Sequence, residues 1–495
     1  MIPSVSDLVI DPGIGAISRR FGENLVKSEL RGMLDELRYG IRGEEIKAVP
    51  SLATLAERLM SRLIRFASPE GRRAINASGI LLHTGLGRSP LCVEAIEAVS
   101  GMGRYSLLQL DAASGKRSLR EEKVERMLAE LTGCEAATVV NNNAAATMLV
   151  LNTLAAGKNV ILSRGQLIEI GGEFRMPDVM ARSSVILREV GTTNRTHLHD
   201  YERAIDGETG ALLHVHTSNY RVRGFSGTPG IDELAALGMK YNLPVIDDIG
   251  SGALVRLSSF GITDEPLVER SVAAGCDAVM FSADKLICGP QAGIICGKKK
   301  VIERIRKNPF MRMFRVCKLT TAALEATLVH FINGTYGKAL PFYRMLSYRS
   351  ETLTARADVF LNGIKDVIGI KAVTVDDISY VGSGSLPDEG IPTKAVRVSF
   401  IHSAALNPAV NGGDRKPPQY EPLPKTPGFS PGSLKGFIDG RSGGKGLESV
   451  SSALRNGIPS VLARVQDDAI YFDMRTLFEG EEKEAAAKLV EVIGR

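Results

Sequence analysis

The stretch FSADKLICGPQAG, residues 281–293, sets a lysine, Lys285, between apolar runs and follows it with Gly289, Pro290 and Gly293. Most other lysines and arginines sit among acids, in segments that read as wet surface. An amine held in apolar surroundings loses the solvation of its charged form. Its pKa falls, and a neutral nucleophile becomes available. A Schiff base with a carbonyl cofactor requires such a group.

Outward from this stretch the chain is built of short β-branched runs: EAATVV, NVILSR, SSVILREV, GALLHVHT, LPVIDDIG, DAVMFSA and AGIICG. Helical patterns such as GIDELAALGMKYN and EPLVERSVAAG lie between some of them. Strand and helix in alternation predict an α/β layer with a mostly parallel sheet. Ligands bind such sheets beyond the carboxyl ends of the strands.

Three other strand ends carry unusual residues. In TVVNNNAAATMLVLNTL a strand ends at Asn141, Asn142 and Asn143, and a helix follows with small residues. Asparagine caps a helix well, and a helix start bordered by alanines receives anions such as phosphate. Taken singly, this is a capped helix. In LPVIDDIGSG, Asp247 and Asp248 close an apolar strand, with no His or Cys at metal spacing beside them, so no metal is expected there. In LLHVHTSNYR, His214 and His216 share one strand face and read as packed or hydrogen-bonded residues.

Together these positions suit pyridoxal 5′-phosphate. The aldehyde takes the amine of Lys285, and the pyridine nitrogen takes the carboxylate of Asp248. The phosphate takes a helix start and hydroxyl donors: Asn142, Asn143, Ala144 and Ser282, with Ser251 as a further candidate. The order phosphate loop, aspartate, lysine is that of aminotransferase-like (fold-type I) enzymes. No Walker A, strand-linked GxGxxG or HExxH motif competes with it.

At 495 residues the chain has room for two or three domains. Residues 1–75 read as helices with interleaved acids and bases, residues 76–330 as the cofactor-binding layer, and residues 331–495 as a smaller α+β domain. Within the last, residues 406–447 form an irregular insertion dense in Pro and Gly. The segment SVLARVQDDAIYFDMRTLF reads as a hairpin turning at Gln466–Asp468. The charge balance, 61 basic against 56 acidic residues, is mild and permits a polyanionic partner without requiring one. No apolar run reaches the roughly eighteen residues of a membrane span, and the N-terminus lacks the pattern of a signal peptide. The six cysteines form no CxxC pair and read as reduced, buried thiols of a cytoplasmic protein.

The motifs INASGILLHTGLGRSPL, NNNAAATMLVLNTLAAGKNVILSRGQLIEIGGEFRMPDVM, VGTTNRTHL, HVHTSNYRVRGF, FSADKLICGPQAGIICGKK and NPFMRMFRVCKLTTAALEATL resemble bacterial L-seryl-tRNA(Sec) selenium transferases, the selenocysteine synthases. The resemblance covers nearly the whole chain outside 406–447. It departs from the family's usual pattern at Gly85, at Ala283 and over residues 105–120. It implies conversion of serine esterified to the selenocysteine tRNA into selenocysteine through an aminoacrylyl-tRNA, with selenophosphate as donor and Lys285 moving the α-proton. It further implies that Arg88, Arg312 and Arg315 hold the donor and that Asp284 belongs to the active site. Without the resemblance, Arg312 and Arg315 read as a basic helix face. The family also implies a homo-oligomer, a decamer built from dimers, with tRNA bound by the N-terminal domain. The alternative is a related lyase acting on a small amino acid or amino sugar phosphate, which would share Lys285 and Asp248 but would have no need of the helical N-terminal domain.

Overall fold

The computed structural model describes residues 2–43, 46, 48–67, 71–118, 120–172, 174–222, 224–262, 265–382, 390–401 and 445–494. Of the Pro- and Gly-rich insertion expected at 406–447, residues 406–444 lie outside the described residues.

All seven β-branched runs are strands of one sheet: β2 (Ala136–Val140), β3 (Asn159–Ser163), β6 (Ile186–Val190), β7 (Thr209–Val215), β8 (Val245–Gly250), β9 (Ala278–Ser282) and β10 (Gly293–Gly297). Their spatial order is β2-β10-β9-β8-β7-β3-β6. The links from β9 through β8, β7 and β3 to β6 are parallel. Only β10 runs against its neighbours, β2 on one side and β9 on the other. The sheet is therefore mostly parallel, as the alternation predicts.

Both faces of the sheet's centre are covered, so its inner strands are largely apolar rather than alternating with polar residues, while the edge strand β6 carries Arg188 and Glu189. In β9, Val279 and Phe281 point into one apolar cluster while Ala278 and Met280 point into the other. Period-two geometry produces this division, and a fully buried Phe281 alone contributes about 1.5–3 kcal/mol.

A second sheet of five strands has the order β1-β13-β14-β12-β11. It contains β1 (Ala74–Ala77), β11 (Ile370–Tyr380), β12 (Gly390–Phe400), β13 (Ser460–Gln466) and β14 (Ala469–Asp473). The strand β1 precedes the large sheet in sequence yet belongs to the small one. The expected hairpin joins β13 to β14. Its two linking residues, Asp467 and Asp468, have φ of 47° and 53°, as a two-residue turn matched to strand twist demands. A short ribbon, β4 (Glu169–Ile170) with β5 (Phe174–Arg175), completes the strands.

Residues 1–74 with 458–460 form one compact unit, and residues 75–457 with 461–495 another. In the first, four helices, α1 (Val5–Ile10), α2 (Pro12–Phe21), α3 (Glu23–Arg42) and α4 (Leu52–Ala67), bury Leu30, Leu34, Leu55, Leu59 and Leu63 in a common core. Asp11 ends α1 and caps α2 by accepting from the N–H groups of Gly13 and Ile14 at 2.9 and 3.1 Å, with Pro12 in the first helical position. Arg62 on α4 ties to Glu29 and Glu36 of α3 at 2.9 and 2.7 Å. Among the described residues no helix is long and apolar enough to cross a membrane.

Candidate active site

The carboxyl ends of β2, β7, β8 and β9 and the start of β10 meet at one place. Register does this: Asp248 on β8 lies opposite Val215 on β7 and Met280 on β9, while Gly293 lies opposite Ser282 on β9 and Val140 on β2. The expected phosphate loop, aspartate and lysine follow three of these ends.

Lys285 lies in the turn after β9 and is only 5% exposed. Burial lowers its amine pKa, and the positive charge of Arg88 lowers it further, against the opposing pull of Asp284 and Asp248. The mechanism matches the one inferred from the apolar flanks, with Arg88 as an added cause.

Asp248 is buried to the same degree. Its Oδ1 accepts from Asn143 Nδ2 at 2.8 Å and its Oδ2 from Thr147 Oγ1 at 2.8 Å. Burial raises its pKa, and these two donors oppose the rise. Asp247 points to the other face, where it is 2.7 Å from His214 Nδ1. The adjacent aspartates are thus divided by the strand's alternation, one toward Lys285 and one toward a histidine. His214 has the hydrogen-bonded role read from the sequence. The backbone N–H of His216 donates to the Asp248 carbonyl at 2.9 Å. Burial drives the His216 imidazole down to about 4, so it is neutral at pH 7.

The three asparagines divide their work. Asn141 donates its N–H to the Phe314 carbonyl at 2.9 Å. Asn142 caps the helix Asn143–Ala155, its side chain accepting from the Ala145 N–H at 2.8 Å. Asn143 turns its side-chain amide to Asp248. The backbone N–H groups of Asn143 and Ala144 are in the first helical turn, where no intrahelical carbonyl reaches them, and there they suit an anion. Gly293 makes this turn possible. A Cβ there would stand 2.2 Å from the Asn142 carbonyl oxygen, so β10 approaches the helix start only without a side chain.

Ser282 closes β9, and Ser251 lies just past β8 with a buried Oγ that has no hydrogen-bond partner. A buried hydroxyl in that state calls for an acceptor or donor from a ligand. Arg88 occupies the left-handed region, φ 65°, and its Nη1 lies 2.7 Å from Asp284 Oδ2. The Ser89 N–H also donates to the Asp284 carbonyl, at 3.3 Å. Arg88, Asp284, Lys285 and Asp248 are therefore one electrostatic group.

Arg312 and Arg315 lie elsewhere on the rim. The segment that carries them bridges to β2, with Arg315 opposite Val140. The Arg315 guanidinium is held below its usual pKa first by Arg120, then by Arg312, with Arg117 a smaller cause. Four arginines gathered so closely make a strong receptor for an anion. Arg120 is anchored by the Val316 carbonyl at 3.0 Å and Gln109 at 3.3 Å.

Sequence reasoning passed over Thr147, whose signal was its place one helical turn after Asn143 on the same face. The Arg88–Asp284 pair joins residues distant in sequence, so local pattern gave no sign of it. Five of the six cysteines are buried, as expected, while Cys317, at the N-cap position of the helix Lys318–Ile332, is exposed.

The residues fit pyridoxal phosphate. A buried amine of lowered pKa, a buried carboxylate held by two donors, an orphaned hydroxyl and a helix start lie at neighbouring strand ends.

A family model described as L-seryl-tRNA selenium transferase matches residues 74–411. The L-seryl-tRNA(Sec) selenium transferase of Alkaliphilus metalliredigens is 45% identical over 415 residues, covering 82% of this chain and 88% of that one. The protein of the same name from Caldanaerobacter subterraneus subsp. tengcongensis is 37% identical over 494 residues, covering 100% and 98%. In structure, D-glucosaminate-6-phosphate ammonia-lyase superposes with a TM-score of 0.54 at 18% identity, covering 86% of this chain and 96% of that one. That likeness bears on the fold, which is the aminotransferase-like one expected. On the family-model match and on identities sustained over most of the chain, the protein belongs to the L-seryl-tRNA selenium transferase family.

Proposed function

We propose that the chain is a pyridoxal-phosphate enzyme that converts seryl-tRNA(Sec) to selenocysteinyl-tRNA(Sec), with selenophosphate as the selenium donor. The observation that carries this reading is the buried amine of Lys285 grouped with Asp248, Asp284 and Arg88 in a chain of this family.

Bound pyridoxal phosphate supplies an electron sink for negative charge at the seryl α-carbon. Asp248, held by Asn143 and Thr147, keeps a proton on the pyridine nitrogen. The first-turn N–H groups of Asn143 and Ala144, with Ser251 and Ser282, hold the phosphate. Lys285 would hold the cofactor through its amine and would accept the α-proton of the seryl group. Its lowered pKa favours the free amine that accepts that proton. Asp284 fixes Arg88 through their ion pair. Arg88, Arg312 and Arg315 bind the selenium donor, a phosphate-like anion for which guanidinium forks are suited. Helices α1–α4, within a tRNA-binding domain of residues 1–75, contact the tRNA. Residues 76–330 form the catalytic domain and 331–495 the small domain. The working form is a cytoplasmic homo-oligomer, a decamer built from dimers.

The test is turnover of serine-charged selenocysteine tRNA with selenophosphate by the cofactor-loaded chain. Selenocysteinyl-tRNA is the expected product. Lys285→Ala is expected to abolish its formation while leaving tRNA binding intact, and borohydride is expected to fix the cofactor to the wild-type peptide containing Lys285. A cofactor still dialysable after reduction would reject the assignment of Lys285. Absence of any product with this tRNA would reject the substrate.

A further inference from the structure

Cys92, Glu94 and His330 belong to no part of this chemistry, yet they converge. Cys92 occupies the N-cap position of the helix Val93–Gly101, Glu94 is in that helix's first turn, and His330 is in the last turn of the helix Lys318–Ile332. Their sulfur, carboxylate oxygen and ring nitrogen all lie within 4.8 Å of one another.

The tautomer of His330 makes this arrangement informative. Thr335 Oγ1 is 2.9 Å from His330 Nδ1 and 3.4 Å from the His330 carbonyl oxygen. A carbonyl only accepts, so where the threonine hydroxyl donates to it, the hydroxyl receives the Nδ1–H. The lone pair of a neutral ring is then on Nε2. That nitrogen atom is buried, has no hydrogen-bond partner, and lies 3.2 Å from Glu94 Oε2 out of line for an N–H···O bond. In that tautomer a lone pair faces a carboxylate, an arrangement that a cation between them relieves; a proton on Nε2, giving a His330–Glu94 ion pair, is the competing occupant.

We propose that Cys92, Glu94 and His330 form a binding site for a zinc-class divalent cation. The ligand types suit it: thiolate, imidazole and carboxylate are the zinc donors, and three protein ligands leave a fourth position for water. The spacing suits it as well. Tetrahedral bonds of roughly 2.0–2.3 Å put ligand atoms about 3.3–3.8 Å apart, and the Nε2–Oε2 separation is already near that. Thr335 acts as the outer partner that fixes the ring, as metal-bound histidines require. Glu94 is about half exposed while Cys92 is buried, so the fourth position opens toward solvent. Binding exchanges the Cys92 thiol proton for the metal, so one proton leaves per ion bound. The ion would join two helices and, through Cys92, stiffen the segment that carries Arg88 and Ser89 to Asp284.

The experiment uses the full cofactor-loaded chain, treated with chelator, dialysed and titrated with zinc alone in buffers of different ionisation enthalpy. One zinc per chain with release of one proton is expected, and cobalt in its place should show the ligand-field bands of a tetrahedral site with sulfur. Glu94→Gln changes a half-exposed side chain and His330→Gln keeps a polar group. Each should weaken binding at least tenfold, while Cys317→Ser, which removes the exposed thiol, should bind as the wild type does. No stoichiometric zinc, undiminished binding by the Glu94 and His330 variants, or loss confined to the Cys317 variant would overturn the site.

Discussion

Thr147→Val isolates the role of the donors behind Asp248. Valine nearly matches threonine in shape, and residue 147 is fully buried, so the change leaves packing intact and removes one hydroxyl. Asp248 Oδ2 then has no side-chain donor among the described residues, while Oδ1 retains Asn143. A hydrogen bond to a charged group is worth about 1.5–3 kcal/mol, and about 1.4 kcal/mol is a factor of ten in affinity. The carboxyl pKa, already raised by burial, should therefore climb further. The carboxylate then pairs less well with the pyridine nitrogen, and affinity for pyridoxal phosphate should fall by about tenfold to a hundredfold. Titration of the apo-chain with the cofactor measures this, with turnover followed in parallel. Thr147→Ser, which restores the hydroxyl, should recover most of the loss. Wild-type affinity and turnover in Thr147→Val would refute the view that Asp248 depends on this donor.

Asp248→Asn should fold and lose most turnover, since an amide cannot hold the ring nitrogen protonated; near-normal turnover would move that role elsewhere. The folded pKa of Lys285 is depressed, so the stability linked to this group is present above the unfolded value, near 10.4, and is lost as pH falls through the folded one. Lys285→Met should accordingly raise the melting temperature of the apo-chain more at low pH than at high pH, and an equal gain at all pH values would contradict the depressed amine. Arg312→Ala and Arg315→Ala should slow selenium transfer more than loss of the α-proton, the two steps being separated with α-deuterated seryl-tRNA; equal slowing would give these arginines another role. A chain beginning at Arg73 should keep its cofactor and lose tRNA affinity, and binding by the whole chain should weaken as salt rises. Undiminished tRNA affinity in the truncated chain would remove residues 1–72 from the interface.

The strands of the large sheet were legible because both of its faces are buried, which leaves near-continuous apolar runs in the chain. Lys285 and Asp248 were legible because each ends such a run. Three things were not. The side-chain amide of Asn143 reads as a phosphate donor when only its neighbours in sequence are considered, yet the register of β8 beside β9 and the start of its own helix turn it to Asp248. Arg88 meets Asp284 only once the chain has folded. Likewise β1, which straddles the boundary drawn at residue 75, pairs into the small sheet, and pairing partners far along the chain leave no local periodicity.

The reversal of β10 has a consequence for redesign. Its first residue, Gly293, is shared between the strand that delivers Lys285 and the helix start that faces the anion, with no side chain to spare on either side. With the cofactor held as proposed, its two ends would be gauged by one backbone joint. Attempts to accept a longer or shorter cofactor by altering the lysine turn or the asparagine turn separately should fail. The adjustable part is the strand between them.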